Sequence, residues 1–161
     1  MKRIMNLQQM EYIIDEYADM MFRIAFQYVR KKEDAEDICQ NVFEKLLKYE
    51  KTFDTHEHEK ACIIRITMNQ CKDYVKSAWN KHRCDMPETM EIPMEDSNGK
   101  SDILELIREL KIEYRDVIYL YYYEGYSVEE IANLLHKKKG TIKTWLSRGR
   151  EQLGKMITGK D

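Results

Sequence analysis

Apolar residues recur every three or four positions along most of this chain, and the places where the rhythm stops divide it into segments. Tyr17, Met20, Met21, Ile24, Ala25 and Tyr28 fall on one stripe and predict an amphipathic helix. The polar run KKED at 31–34 interrupts it. Asp34 is then placed to cap a second helix, with more acids in the first turn, where they suit the helix dipole. That helix carries Ala35, Ile38, Val42, Phe43, Leu46 and Leu47. The stretch EKTFDTHEHE at 50–59 breaks the period and predicts a loop. A long third helix over about 60–82 follows, with Ile64, Thr67, Met68, Cys71, Val75 and Ala78 on one face.

The segment CDMPETMEIPMEDSNGK at 84–100 contains Pro87, Pro93, an Asn-Gly pair and no apolar period, which predicts a linker. Beyond it Ser101 is placed to cap a helix bearing Ile103, Leu104, Leu106, Ile107 and Leu110. A further apolar stretch, Tyr114, Val117, Ile118, Leu120 and Tyr121, ends near Gly125. The expected fold class is therefore all-α: two small helical domains, a three-helix lobe over 10–83 and a helix-turn-helix lobe over 101–157, joined by a flexible acidic linker over 84–100.

Residues 126–153 carry the strongest local pattern. Ser127 and Glu130 have the spacing of a capping box, and Tyr126 and Ile131 that of a hydrophobic staple. Ile131, Ala132 and Leu135 predict the buried side of a short helix, with Ala132 small enough for a close crossing. After a turn at 136–139, Ile142, Trp145 and Leu146 predict the inner face of another helix. Its outer face then shows Thr141, Lys143, Thr144, Ser147, Arg148 and Arg150. Hydroxyls and long cations can reach base edges and phosphates from a major groove. Lys137, Lys138 and Lys139 stand at the start of this helix and oppose its dipole unless an anion is near.

Charge sharpens the picture through its distribution. The whole chain of 161 residues is only −2, yet 60–83 is +5 and 137–160 is +7. Between and before them, 33–37 is −4 and 86–100 is −3. Two basic blocks set apart by acidic ones predict two anion-binding surfaces. No stretch has the ~18–20 apolar residues of a membrane span, and the start MKRIMNLQQM lacks the apolar core of a secretory signal. A cytoplasmic protein is expected, with Cys39, Cys62, Cys71 and Cys84 as free thiols. His56, His58 and Cys62 form a cluster without a clear fourth ligand, so no metal and no cofactor are expected. Gly-rich phosphate loops, GxSxG and HExxH are absent, and no enzyme is expected.

Taken in order, DAEDICQNVFEKLLK (34–48), KACIIRITMNQCKDYVKSAWNKHR (60–83) and IRELKIEYRDVIYLYYYEGYSVEEIANLLHKKKGTIKTWLSRGREQL (107–153) resemble the sigma-70 family in its smallest, extracytoplasmic-function group. The resemblance covers almost the whole chain. It implies a factor that binds core RNA polymerase and directs promoter-specific initiation. Asp34, Glu36, Asp37, Gln40, Asn41 and Glu44 would then face the β′ clamp helices. Arg65, Asn69, Lys72, Asp73, Lys76 and Trp79 would lie toward the −10 DNA, with a flipped base near the loop 50–59. Lys138, Lys139, Thr141, Lys143, Thr144, Ser147 and Arg148 would read the −35 groove, and Leu120, Tyr121, Tyr122 and Tyr123 would build the second core and meet the β flap. An anti-sigma factor would hold the free protein, and the linker would pass the RNA exit path. Neither membrane insertion nor a small-molecule substrate is implied.

Two departures from the family pattern stand out. His136 and Lys137 occupy the places of a glycine and an apolar residue at the turn, so a positive φ at His136 would carry a cost. Lys138 stands where a Ser or Asp cap is usual. The first lobe also has fewer aromatics on its DNA face than large sigma factors, which predicts weaker melting and stricter promoter choice. A one-component helix-turn-helix regulator is the rival reading. It would need a ligand pocket or a dimerisation seam, and 1–83 shows no sensor motif or heptad repeat.

Overall fold

The computed structural model describes residues 6–49, 52–81 and 100–159, and every regular element among them is helical. The chain divides into two compact units, Met1–Pro93 and Met94–Asp161. The acidic segment 84–99 lies outside the described residues.

In the first unit, α1 (Leu7–Phe26), α2 (Lys32–Leu47) and α3 (His56–Lys81) pack pairwise around one core. Helix α1 opens on a reciprocal cap: Gln9 N donates to Asn6 Oδ1 at 2.8 Å and Asn6 N donates to Gln9 Oε1 at 2.9 Å. Its apolar stripe is buried at Ile13, Tyr17, Met20, Met21, Ile24 and Ala25, while Tyr28, just past the helix, is half-buried. Helix α2 starts at Lys32 behind Lys31, with no side-chain cap. Asp34 is therefore not the cap. It sits in the first turn, and its carboxylate accepts the Tyr74 hydroxyl of α3 at 2.8 Å. Ala35, Ile38, Val42 and Leu46 are buried, whereas Leu47 reaches solvent.

Helix α3 begins at His56, so the last four residues of the expected loop, 56–59, are helical. The cause is local: Thr55 Oγ1 accepts the His58 N–H at 3.0 Å, and Glu57 and Glu59 lie in the first turn, where they favour the dipole. The helix buries Ile63, Ile64, Thr67, Met68 and Cys71, and Val75 and Ala78 are half-buried. The Thr67 hydroxyl is satisfied by donating to Ile63 O at 2.7 Å. Cys39 on α2 is buried, and burial followed by the nearby Glu36 pushes its thiol up to about 11.

The second unit runs α4 (Lys100–Arg108), α5 (Ile112–Ile118), a π-turn (Tyr119–Tyr123), α6 (Val128–Leu135) and α7 (Lys139–Thr158). Helix α4 begins at Lys100, one residue before the expected Ser101 cap, whose side chain lies outside the described residues. Ile107, Leu110, Val117, Ile118, Tyr119, Leu120, Ile131, Ile142 and Leu146 make the core. Fully burying each aliphatic side chain contributes roughly 1.5–3 kcal/mol relative to exposure. Two details differ from the sequence pattern. Leu134 is buried and Leu135 is only half-buried, so α6 meets its neighbours through Ile131, Ala132 and Leu134. Trp145 is half-buried, and Gly149 takes over the inner face of α7 after Ile142 and Leu146. A Cβ at Gly149 would stand 2.7 Å from Ile118 Cγ1 and 3.5 Å from Tyr114 Cβ, so α5 and α7 cross there at a distance only glycine permits.

Candidate nucleic-acid and polymerase interface

The helix-turn-helix is built from strong local signals on one side and weak ones on the other. Glu130 N donates to Ser127 Oγ at 3.1 Å, and Ser127 N donates to Glu130 Oε1 at 3.0 Å, so α6 starts with both halves of a capping box. Tyr126 precedes it half-buried; burial first, then Glu124 and Glu130, pushes its phenol up to about 12. The helix ends at His136 with φ 56° and ψ 47°, and Lys137 N donates back to Ala132 O at 2.9 Å. The turn thus has the left-handed residue that a glycine normally supplies, carried by a histidine. Helix α7 follows from Lys138 with no side-chain cap.

On α7, Lys138, Lys139, Lys143, Thr144, Ser147 and Arg148 are exposed, and Thr141 is half-buried. Lys143, Thr144, Ser147 and Arg148 lie on the side away from Ile142, Leu146 and Gly149. The Thr144 hydroxyl donates to Gly140 O at 2.9 Å, so it presents a methyl group and an acceptor outward. Lys139 pairs with Glu129 at 3.7 Å, an exposed contact of little energetic weight. Among the described residues, no carboxylate pairs with Lys143 or Arg148.

In the first unit, Glu36, Asp37, Gln40 and Glu44 form an exposed polar strip on α2, with Asp34 and Asn41 half-buried beside it. Tyr74 leans from α3 onto the start of this strip, donating to Asp34 at 2.8 Å and reaching Asp37 only at 3.5 Å. Burial, then the bond to Asp34, holds that phenol well above its ordinary range. On α3, Arg65, Asn69, Lys72 and Lys76 recur at four- and three-residue steps on one side, away from Ile63, Thr67 and Cys71. Asn69, Lys72, Asp73 and Lys76 are exposed and Arg65 is half-buried. Trp79 belongs to α3, but its side chain lies outside the described residues.

Sequence reasoning missed an aromatic stack where α2 leads into α3. Tyr49 and Phe53 stack at 5.4 Å and 12°, and Phe53 meets the His58 ring edge-on at 5.7 Å. The signal was present as aromatics spaced four and five apart, but periodicity assigns no contact inside a loop. The histidines serve separate partners. The His56 ring reaches Glu16 at 3.2 Å and stacks on Tyr17, while His58 Nδ1 accepts the Asp54 N–H at 3.3 Å. Glu59 accepts hydroxyls from both Tyr17 at 2.6 Å and Tyr12 at 3.0 Å, tying α3 to α1.

These two units coincide with two regions of one family. Sigma-70 region 2 matches residues 13–81 and sigma-70 region 4 matches residues 100–153. The chain belongs to the sigma-70 family. It is similar to the RNA polymerase sigma factor SigV of Bacillus subtilis, with 29% identity covering 92% of this chain and 90% of the relative. The ECF RNA polymerase sigma factor SigW of the same organism is 27% identical, covering 90% and 87%. The ECF sigma factor SigE of Mycolicibacterium smegmatis is 28% identical over 88% of this chain, which spans 58% of that longer protein. In structure, the chain resembles the sigma factor RpoE co-crystallised with the anti-sigma factor NepR from Bartonella quintana, with TM-score 0.76, 20% identity, and 94% and 98% of the two chains covered. It also resembles CnrH bound to the cytosolic domain of CnrY, with TM-score 0.68, 17% identity, and 97% and 92% covered. The protein is an extracytoplasmic-function type sigma factor, directing promoter-specific transcription initiation. Among the described residues, no helix of this sigma factor is long and apolar enough to cross a membrane.

Proposed function

We propose that the exposed strip of α2 docks this sigma factor on the β′ clamp helices of core polymerase, that the basic side of α3 holds the −10 DNA, and that α7 reads the −35 major groove. Three surfaces carry the reading together: an acidic helix face, then a cation-bearing one, then a helix-turn-helix with unneutralised Lys143 and Arg148. Glu36, Asp37, Gln40 and Glu44 supply the docking contacts, with Asp34 and Asn41 at the edge of that face. Lys72 and Lys76 supply phosphate contacts, Arg65 flanks them, and Asn69 and Asp73 offer polar groups to unpaired bases. Trp79 completes that row in the sequence. In α7, Lys143 and Arg148 match guanine acceptors or phosphates, and Thr144 and Ser147 match base-edge donors or thymine methyls. Lys138, Lys139 and Thr141 lie nearest the backbone at the helix entry.

The domain limits are 10–83 and 101–157, with 84–100 joining them. The second lobe's tyrosine run meets the β flap. The chemistry of transcription belongs to the polymerase, and this chain contributes no catalytic step. It acts in the cytoplasm and is sequestered by an anti-sigma factor, as the structurally similar RpoE is found in complex with the anti-sigma factor NepR.

The test is retention of purified core polymerase by the immobilised chain, followed by run-off transcription. Wild type retains core and Asp37→Lys with Glu44→Lys does not. If neither retains core while the chain binds duplex DNA as a dimer, the sigma reading of these faces is wrong and a one-component regulator takes its place.

A further inference from the structure

The apolar pattern puts Arg150 on the outer face of α7, but the family resemblance gives it no place among the −35 readers. Arg150 is exposed, and the described residues place no carboxylate against it. Its guanidinium is nevertheless held. Nε donates to the Tyr122 hydroxyl, and the guanidinium carbon lies 5.5 Å from the ring centroids of both Tyr121 and Tyr122. Those rings meet edge-on at 4.9 Å and 73°. Tyr122 is more than half exposed, at 56%, so the pair stands on the surface and not in the core.

The fold explains how the pair forms. Gly149 lets α7 approach Ile118 closely, which brings the following π-turn alongside the next residue of α7. The wider π-turn keeps Tyr119 and Leu120 buried and leaves Tyr122 outside. Arg150 also lies seven residues after Lys143, two helical turns along the same side of α7.

An arginine has five N–H donors, and Tyr122 uses one of them. The rest of the planar fork carries a full charge, and its rotamer freedom is already spent on the tyrosines. Such a fork matches the oxygens of a phosphodiester and loses little entropy on meeting one. We propose that Arg150 is a fixed phosphate contact for promoter DNA flanking the −35 groove, with Tyr122 as the positioning residue that aims it. This rests on the assignment of α7 to −35 DNA. It extends the footprint to a residue that reads no base and adds affinity to any sequence.

The test uses polymerase reconstituted with the full chain and measures promoter affinity against KCl concentration. Arg150→Gln keeps a planar group for the rings but removes the charge. The plot of log affinity against log salt should then flatten by about 0.9, one phosphate contact on duplex DNA. The loss should be equal on promoters with native and scrambled −35 elements. Tyr122→Phe keeps the charge and both rings, so the slope stays while affinity falls several-fold. Arg150→Lys should keep the slope and lose affinity. Arg148→Ala is run in parallel. If its slope flattens and that of Arg150→Gln does not, Arg150 is an internal brace and the proposal is overturned. If neither slope changes, the proposal falls together with the assignment of α7.

Discussion

Helices α6 and α7 are neighbours in one motif and are stabilised in opposite ways. Helix α6 is secured at its start by its own sequence, through the Ser127–Glu130 box, and strained at its end by the left-handed His136. Helix α7 has no cap, opens on lysines that oppose its dipole, and depends on Ile142, Leu146 and Gly149 packed against the core. The difference shows where a recognition helix can carry function. Tertiary burial on one face holds α7 in place, so its first turn and outer face need not serve folding. They are free to present cations and hydroxyls that a self-sufficient helix would exclude.

Four substitutions break or sharpen that contrast, all read by urea denaturation in a Trp79→Phe background that leaves Trp145 as reporter. The largest effect belongs to α7's tertiary anchor. Gly149→Val drives a side chain into Ile118 and should cost about 2–3 kcal/mol; an unchanged midpoint would mean the crossing is not tight. Ser127→Ala removes half of α6's box and should cost about 1 kcal/mol. His136→Gly should act in the other direction, stabilising by about 1 kcal/mol because the left-handed turn no longer carries a Cβ. The smallest stability change is expected from Lys138→Ser, a gain of about 0.5 kcal/mol from a new cap. The same change should lower promoter affinity in a salt-dependent way, and a gain in both stability and affinity would remove the proposed trade between folding and function.

What could be read from the sequence follows this division. Periodicity located α1, α2, the face of α3 and both helices of the motif, because each has a buried stripe at regular spacing. Capping logic found the Ser127 box, and the missing glycine at 136 announced the strained turn. The same logic failed at Asp34, whose carboxylate is engaged by Tyr74 of α3 one turn inside α2. It was not applied at Thr55, whose hydroxyl takes the His58 N–H and starts α3 four residues earlier than the apolar period suggests. Gly149 was invisible because it lies between two arginines, where a polar pattern hides an inner-face position. The proposed site residues on α2, α3 and α7 stand out in the sequence as residue types at helical spacing. Their contacts do not, since a hydrogen bond such as Thr144 to Gly140 or Arg150 to Tyr122 leaves no trace in composition.

The π-turn can also be viewed as chain length. A π-turn uses about one residue more than an α-turn to cover the same rise, so the run Tyr119–Tyr123 stores one residue of slack inside a packed helix. Deleting a tyrosine there would rotate everything upstream by roughly 100° relative to the motif, or force the loss back into an ordinary α-turn. The second outcome would leave the hydrophobic core in register and withdraw the tyrosine from Arg150. In an evolving lineage, a single codon gained or lost at this point could switch a surface contact on or off without disturbing the fold that carries it.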